Sequence, residues 1–205
     1  MPKTYRKRSH RSTIRGRNFR IKFTFGRFGV MVVIAGILIT WWLKTNTDAA
    51  FQSSSYSVVG QPTISAAFID RVLDYYHSPA VGKGQALYDD GVKYGIDPVY
   101  ALAFFMHESS FGKTGVARTT HSLGNIRTSE GYQDYKGYRM YKTWEAGFED
   151  WYTLISDQYV QQWELTTVDQ IIPVYAPSSD NNDVAAYISA IKKAVDTWRS
   201  GSIEA

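Results

Sequence analysis

The 205-residue sequence contains no cysteine. Disulfides, cysteine-ligated metal centres and a cysteine nucleophile are therefore excluded. No acidic residue precedes Asp48, and no charged residue lies between Phe28 and Leu43. A Gly-x-Ser-x-Gly nucleophile elbow is missing, as are a Gly-x-x-x-x-Gly-Lys phosphate loop and a dinucleotide fingerprint. His107-Glu108 begins like the His-Glu-x-x-His of a zinc site, but Phe111 stands where the second imidazole is needed, so no metal or other cofactor is assigned. What remains as catalytic equipment is carboxylate and tyrosine, which points to glycosidase chemistry.

Charge is divided sharply along the chain. Ten of the 23 Lys and Arg residues fall within residues 1–27, which leaves 13 bases against 19 acids from Phe28 onward, a formal net charge of −6. The basic pI belongs to the tail, and the acidic remainder argues against a nucleic-acid-binding domain. Residues 28–43 are uncharged and close on Trp41-Trp42, aromatics suited to a membrane interface. They are read as a transmembrane signal anchor, with a cleaved signal peptide as the competing reading and Ala49-Ala50 as weak cleavage candidates. The basic tail stays in the cytoplasm, so the C-terminal part faces the extracytoplasmic side of the cytoplasmic membrane as part of a single-pass protein. Residues 44–61 are polar and Ser-rich and read as a linker.

From residue 62 onward the apolar periodicity is helical almost throughout. Ser65 caps a helix presenting Phe68, Ile69, Val72, Leu73 and Tyr76, and residues 83–94 form a second helix ended by Gly95. Asp97 and Pro98 open a third. Thr143 caps a fourth, carrying Phe148, Trp151, Tyr152, Ile155 and Tyr159; residues 167–172 are a short fifth; and residues 183–199 are the last, with Tyr187 and Trp198 on its apolar side. Between Gly131 and Tyr141, tyrosines flank Lys136-Gly137, the signature of a hairpin. The expected fold class is α+β, mostly helical, with one small β-hairpin.

Glu108 stands out chemically. It lies in the last turn of the third helix, with Phe104 and Phe105 one turn back and Gly112 where the helix should stop. An apolar wall raises a carboxyl pKa, and a raised pKa is what a general acid needs. The opposing reading is an ordinary solvated glutamate at a helix end.

Four segments in order carry a resemblance: Glu108-Ser109-Ser110-Phe111-Gly112-Lys113; Ser122-Leu123-Gly124-Asn125-Ile126-Arg127; Tyr138 to Phe148, with Trp144-Glu145-Ala146-Gly147; and Tyr175-Ala176-Pro177. Together they resemble the bacterial endo-β-N-acetylglucosaminidase domain, glycoside hydrolase family 73 of the lysozyme superfamily, over roughly residues 62–199 of a domain read as residues 62–205. The resemblance implies a lysozyme-like domain that cuts the β-1,4 bond after N-acetylglucosamine in cell-wall peptidoglycan. It implies Glu108 as general acid and Tyr175 in support, with Glu130 and Asp134 as candidates for a second carboxylate on the hairpin. Ser109, Asn125, Tyr132, Tyr138, Tyr141 and Trp144 are the expected substrate-binding residues. A lytic transglycosylase of the same superfamily and a catalytically silent, membrane-anchored wall-binding module are the alternative functions.

Overall fold

The computed structural model describes residues 56–205. The basic tail, the anchor at 28–43 and the linker up to residue 55 lie outside the described residues. Among the described residues no helix is long and apolar enough to cross a membrane.

The described part runs α1 (Ala66–Tyr75), α2 (Gly84–Tyr94), α3 (Pro98–Ser109), the short α4 (Ala117–Thr120), the hairpin β1 (Asp134–Tyr135) and β2 (Tyr138–Arg139), and α5 (Trp144–Thr153). A π-helical segment (Leu154–Gln162) continues α5, followed by α6 (Val168–Tyr175), a 3₁₀ turn (Ser178–Asp180) and α7 (Val184–Arg199). The capping residues read from the sequence act as expected: the side chains of Ser65, Asp97 and Thr143 accept backbone N–H groups of α1, α3 and α5, and Gly95 ends α2 in the left-handed conformation. Asp183, read as the first residue of the last helix, caps α7 in the same way. In the hairpin, Asp134 pairs with Arg139 and Tyr135 with Tyr138, and Lys136 and Gly137 both have positive φ, as a tight two-residue turn requires.

Helix α3 is the centre of the domain. Every residue from Pro98 to Phe105 is buried, so the helix is apolar on all sides and must be enclosed. Helices α2 and α7 pack directly on it, α1 and α5 pack on α2, and α6 packs on α7. Phe104 touches the rings of Trp151, Tyr175 and Tyr187, while Phe105 meets Phe148 and Trp151. Only the last turn of α3 reaches the surface.

Two expectations need correction. Residues 56–61, read as the end of the linker, belong to the domain. Val58 is 1% exposed, Ser57 pairs with Thr167, Val59 pairs with Ile96, and the Tyr56 hydroxyl donates to Asp196 at 2.7 Å. The Ser-rich composition conceals a short strand-like alternation in which Val58 points inward. The fourth helix is also not α-helical throughout: beyond Thr153 it widens to π geometry, which apolar spacing alone does not distinguish.

Asp97 joins the beginning, middle and end of the domain. Its Oδ1 accepts the N–H groups of Thr63 (3.1 Å) and Val99 (3.2 Å). Its Oδ2 accepts the Thr63 hydroxyl (2.6 Å) and Arg199 Nη2 (3.0 Å). The residue is 2% exposed. Arg199 is partly exposed, so the cost of losing Asp97 comes chiefly from the Thr63 and Val99 N–H groups left without their acceptor, about 1–3 kcal/mol each where buried, with the ion pair adding less. Asp97→Ala is accordingly expected to lower the unfolding free energy by about 3 kcal/mol in urea titrations. An Asp97→Ala, Arg199→Met double variant should recover part of the loss; a loss below about 1 kcal/mol would show the junction to be dispensable.

Candidate active site

After Glu108 the chain reverses direction sharply. Ser110, Phe111 and Gly112 have φ of 47°, 57° and 84°, so the helix stops at Ser109 rather than at Gly112. A buried hydrogen-bond network holds the reversal. Ser109 Oγ donates to the Leu123 carbonyl (2.8 Å) and accepts the Gly112 N–H (2.9 Å), and Ser78 Oγ donates to the Phe111 carbonyl (2.8 Å). Ser109 is thus consumed in shaping the turn and is unavailable to substrate.

The segment Gly124-Asn125 closes against the same helix end. Asn125, at φ 46°, donates through Nδ2 to the Glu108 carbonyl at 2.8 Å. A Cβ at Gly124 would stand 2.6 Å from Trp151 Cδ1, so only glycine admits this approach. The Gly124 carbonyl accepts the Tyr175 hydroxyl at 2.9 Å. Tyr175 is thereby fixed beside Glu108 by a backbone contact.

Glu108 stands at the floor of a cleft of ≈ 440 Å³. Around it are Asn125, Ile126 and Arg127, the hairpin residues Tyr138 and Arg139, Leu154 and Tyr159 from the π segment, Tyr175 and Ala176, and Asp180 and Asn182 from the α6–α7 connection. Leu154 and Tyr159 are five residues apart, a spacing that π geometry brings to one face. The Tyr187 hydroxyl donates to Glu108 Oε1 at 2.6 Å. Burial pushes the Glu108 carboxyl above its usual range, opposed by this hydrogen bond and by the charge of Arg127. Burial, reinforced by the Glu108 charge, holds the Tyr175 and Tyr187 phenols well above theirs, so both remain protonated donors.

The structure brings Glu108, Asn125, Tyr138 and Tyr175 together. It does not bring the other predicted residues to the cleft. Tyr132 and Tyr141 both donate their hydroxyls to Asp150, which also pairs with Arg139 at 2.8 Å; these tyrosines brace the hairpin against α5. Trp144 packs edge-on against His121, whose Nδ1 lies 2.9 Å from the Tyr141 carbonyl. Asp134 accepts the Gly137 N–H at 3.0 Å and so caps its own turn, and Glu130 is exposed in the loop ahead of the hairpin. The carboxylates lining the cleft are instead Glu108 and Asp180. Sequence reasoning missed Asp180, Arg127 and Tyr187. Tyr187 carried a faint signal, a phenol on an otherwise wholly apolar stripe. Among the described residues no group of three or more His, Asp or Glu side chains is placed to hold a metal ion.

A helical domain with a small hairpin, and a desolvated glutamate at the floor of a polar cleft, defines a glycosidase-type site. Residues 84–198, more than half of the chain, match the glucosaminidase family, described as mannosyl-glycoprotein endo-β-N-acetylglucosaminidase, and the chain belongs to that family. It is a glycoside hydrolase, of the class that acts on peptidoglycan. No curated protein matches the chain.

The raised pKa of Glu108 has a signed consequence for stability. Below the ordinary carboxyl range both folded and unfolded chains hold the proton, and burial of the neutral group is cheap. As pH rises, the unfolded chain ionises first, so stability falls until the folded pKa is passed. Glu108→Gln should therefore be more stable than wild type at pH 7, with the gap closing below about pH 4, near the unperturbed carboxyl value. Urea midpoints at the two pH values check this; equal midpoints at pH 7 would mean that the carboxyl is hydrated.

Proposed function

We propose that the protein is an endo-β-N-acetylglucosaminidase that cuts the β-1,4 bond on the reducing side of N-acetylglucosamine in peptidoglycan strands. We place it on the outer side of the cytoplasmic membrane, held there by residues 28–43. The observation that carries the reading is the Glu108 carboxyl, buried at the cleft floor and bonded to Tyr187 on one oxygen only.

The arrangement suits proton donation. With Tyr187 donating to Oε1, the acid proton resides on Oε2, the oxygen left for the glycosidic leaving group. Transfer of that proton breaks the C1–O bond as positive charge develops on the sugar ring. The 2-acetamido group of the same sugar can attack C1, and water then opens the resulting ring. Asn125 Oδ1 is buried, so Asn125 serves the site through the Nδ2 bond that fixes the Glu108 backbone rather than as an acceptor for the sugar. Asp180 is the other carboxylate lining the cleft, and we assign it to receive a proton from that water.

The test is digestion of purified peptidoglycan by the full chain, with borohydride reduction and mass analysis of the new ends. Reduced N-acetylglucosamine ends are expected from wild type, with a loss of at least about 10³-fold in Glu108→Gln, the scale set by losing a general acid. Ends one water lighter would assign a lytic transglycosylase, and no cleavage by the folded wild type would assign a binding module. Tyr187→Phe removes a bond that favours the ionised acid. The alkaline limb of kcat/KM should move to higher pH while the maximal rate falls about tenfold; an unmoved limb would separate Tyr187 from the acid.

A further inference from the structure

The hairpin wall of the cleft carries a cation that the domain does not neutralise. Ion pairs among the described residues engage Lys83, Lys93, Arg139, Lys192 and Arg199. Arg127 is in none of them, although it lines the cleft with Asp180 and Glu108. Arg139, the other cleft cation, is committed to Asp150 and lies over the Tyr132 ring at 3.7 Å. Neither cleft carboxylate, Glu108 or Asp180, is within ion-pair distance of Arg127.

Arg127 is also held in position. Its backbone bridges to Tyr138 on the edge of β2 that β1 leaves free, and its carbonyl accepts Arg139 Nε at 3.2 Å. The guanidinium carbon stands 4.7 Å from the centre of the Tyr138 ring. Stacking uses the flat face of a guanidinium and leaves the N–H edges free, the geometry that receives a carboxylate in fork fashion. A cation here also offsets the negative charge of the domain, which would otherwise repel an acidic ligand.

We propose that Arg127, backed by Tyr138, forms a carboxylate-binding subsite of the cleft that favours wall glycan bearing acidic substituents over neutral N-acetylglucosamine polymers. This rests on the glycan-cleaving function proposed above. N-acetylglucosamine is uncharged, so the carboxylate belongs to the neighbouring muramic residue. It is either the lactyl acid itself, free where the peptide has been removed, or an acid of the attached peptide.

The full chain is compared with Arg127→Gln and Arg127→Lys on three substrates: peptide-bearing strands, the same strands stripped of peptide, and chitin oligosaccharides. The readout is the ratio of kcat/KM on acidic strands to that on chitin. The ratio should fall about tenfold in Arg127→Gln, mainly through KM, and recover in part in Arg127→Lys. It should also fall in wild type as salt is raised. A fall confined to peptide-bearing strands assigns the peptide carboxylate, and a fall on stripped strands assigns the lactyl acid. Any effect of Arg127 on the Glu108 pKa is common to all three substrates and cancels in the ratio. An unchanged ratio overturns the subsite.

Binding provides a readout independent of turnover. Affinities for peptide-bearing and for stripped strands are both measured by calorimetry for Glu108→Gln alone and with Arg127→Gln added. A roughly tenfold weaker Kd in the double variant for either kind of strand supports the subsite even if wild type cleaves nothing, an outcome that would fail the hydrolase reading alone. Equal affinities for both overturn the subsite.

Discussion

The structure is organised around a helix that has no polar side. Because α3 is buried along its length, α2 and α7 must close on it, with α1, α5 and α6 forming an outer layer against them. The chain leaves this interior through one turn, and Glu108 is in it. A carboxyl at that position inherits the low polarity of the core behind it and the water of the cleft ahead. Its raised pKa is a property of the packing around α3 more than of any single neighbour. Tyr187 and Tyr175 reach the same carboxyl region from α7 and α6, the helix that closes on α3 and the one packed behind it. The site is thus assembled by the contacts that make the core.

One carboxylate on α5 explains the unequal fates of the hairpin tyrosines. Asp150 accepts hydroxyls from Tyr132 and Tyr141 and pairs with Arg139, which fixes the hairpin to α5 from beneath. Tyr138, on the remaining face, is left to the cleft. Such a wall is built before substrate arrives, so little ordering of the hairpin is required on binding.

Much of this was legible in the sequence because caps and punctuation are local. Ser65, Asp97 and Thr143 announce helices through hydrogen bonds within a few residues, and Lys136-Gly137 announces a hairpin through φ alone. Glu108, Asn125 and Tyr175 were found through their place in motifs. What escaped depends on pairings distant in sequence. Nothing near Tyr132 or Tyr141 shows that Asp150 will occupy their hydroxyls, and nothing near Asp180 shows that a loop after α6 faces a glutamate on α3. Tyr187 is 79 positions from its partner. The π segment was missed for another reason: its apolar residues fit an α-helix as well, and the extra width appears only once Leu154 and Tyr159 are seen on one face.

The short strand-like segment ahead of α1 has a mechanical meaning. Val58 N–H donates to the Thr166 carbonyl, Val168 N–H to Tyr56, Gly60 N–H to Gly95, and Asp97 N–H to Val58, all between 2.8 and 3.1 Å. These bonds attach the incoming chain at the N-terminal ends of α3 and α6, the helices whose opposite ends carry Glu108 and Tyr175. A pull on the chain ahead of Tyr56 is therefore borne at the far ends of the two catalytic-side helices. Tension along the chain is delivered a full helix length from the cleft, and the residues that must keep their spacing are the last to bear the load.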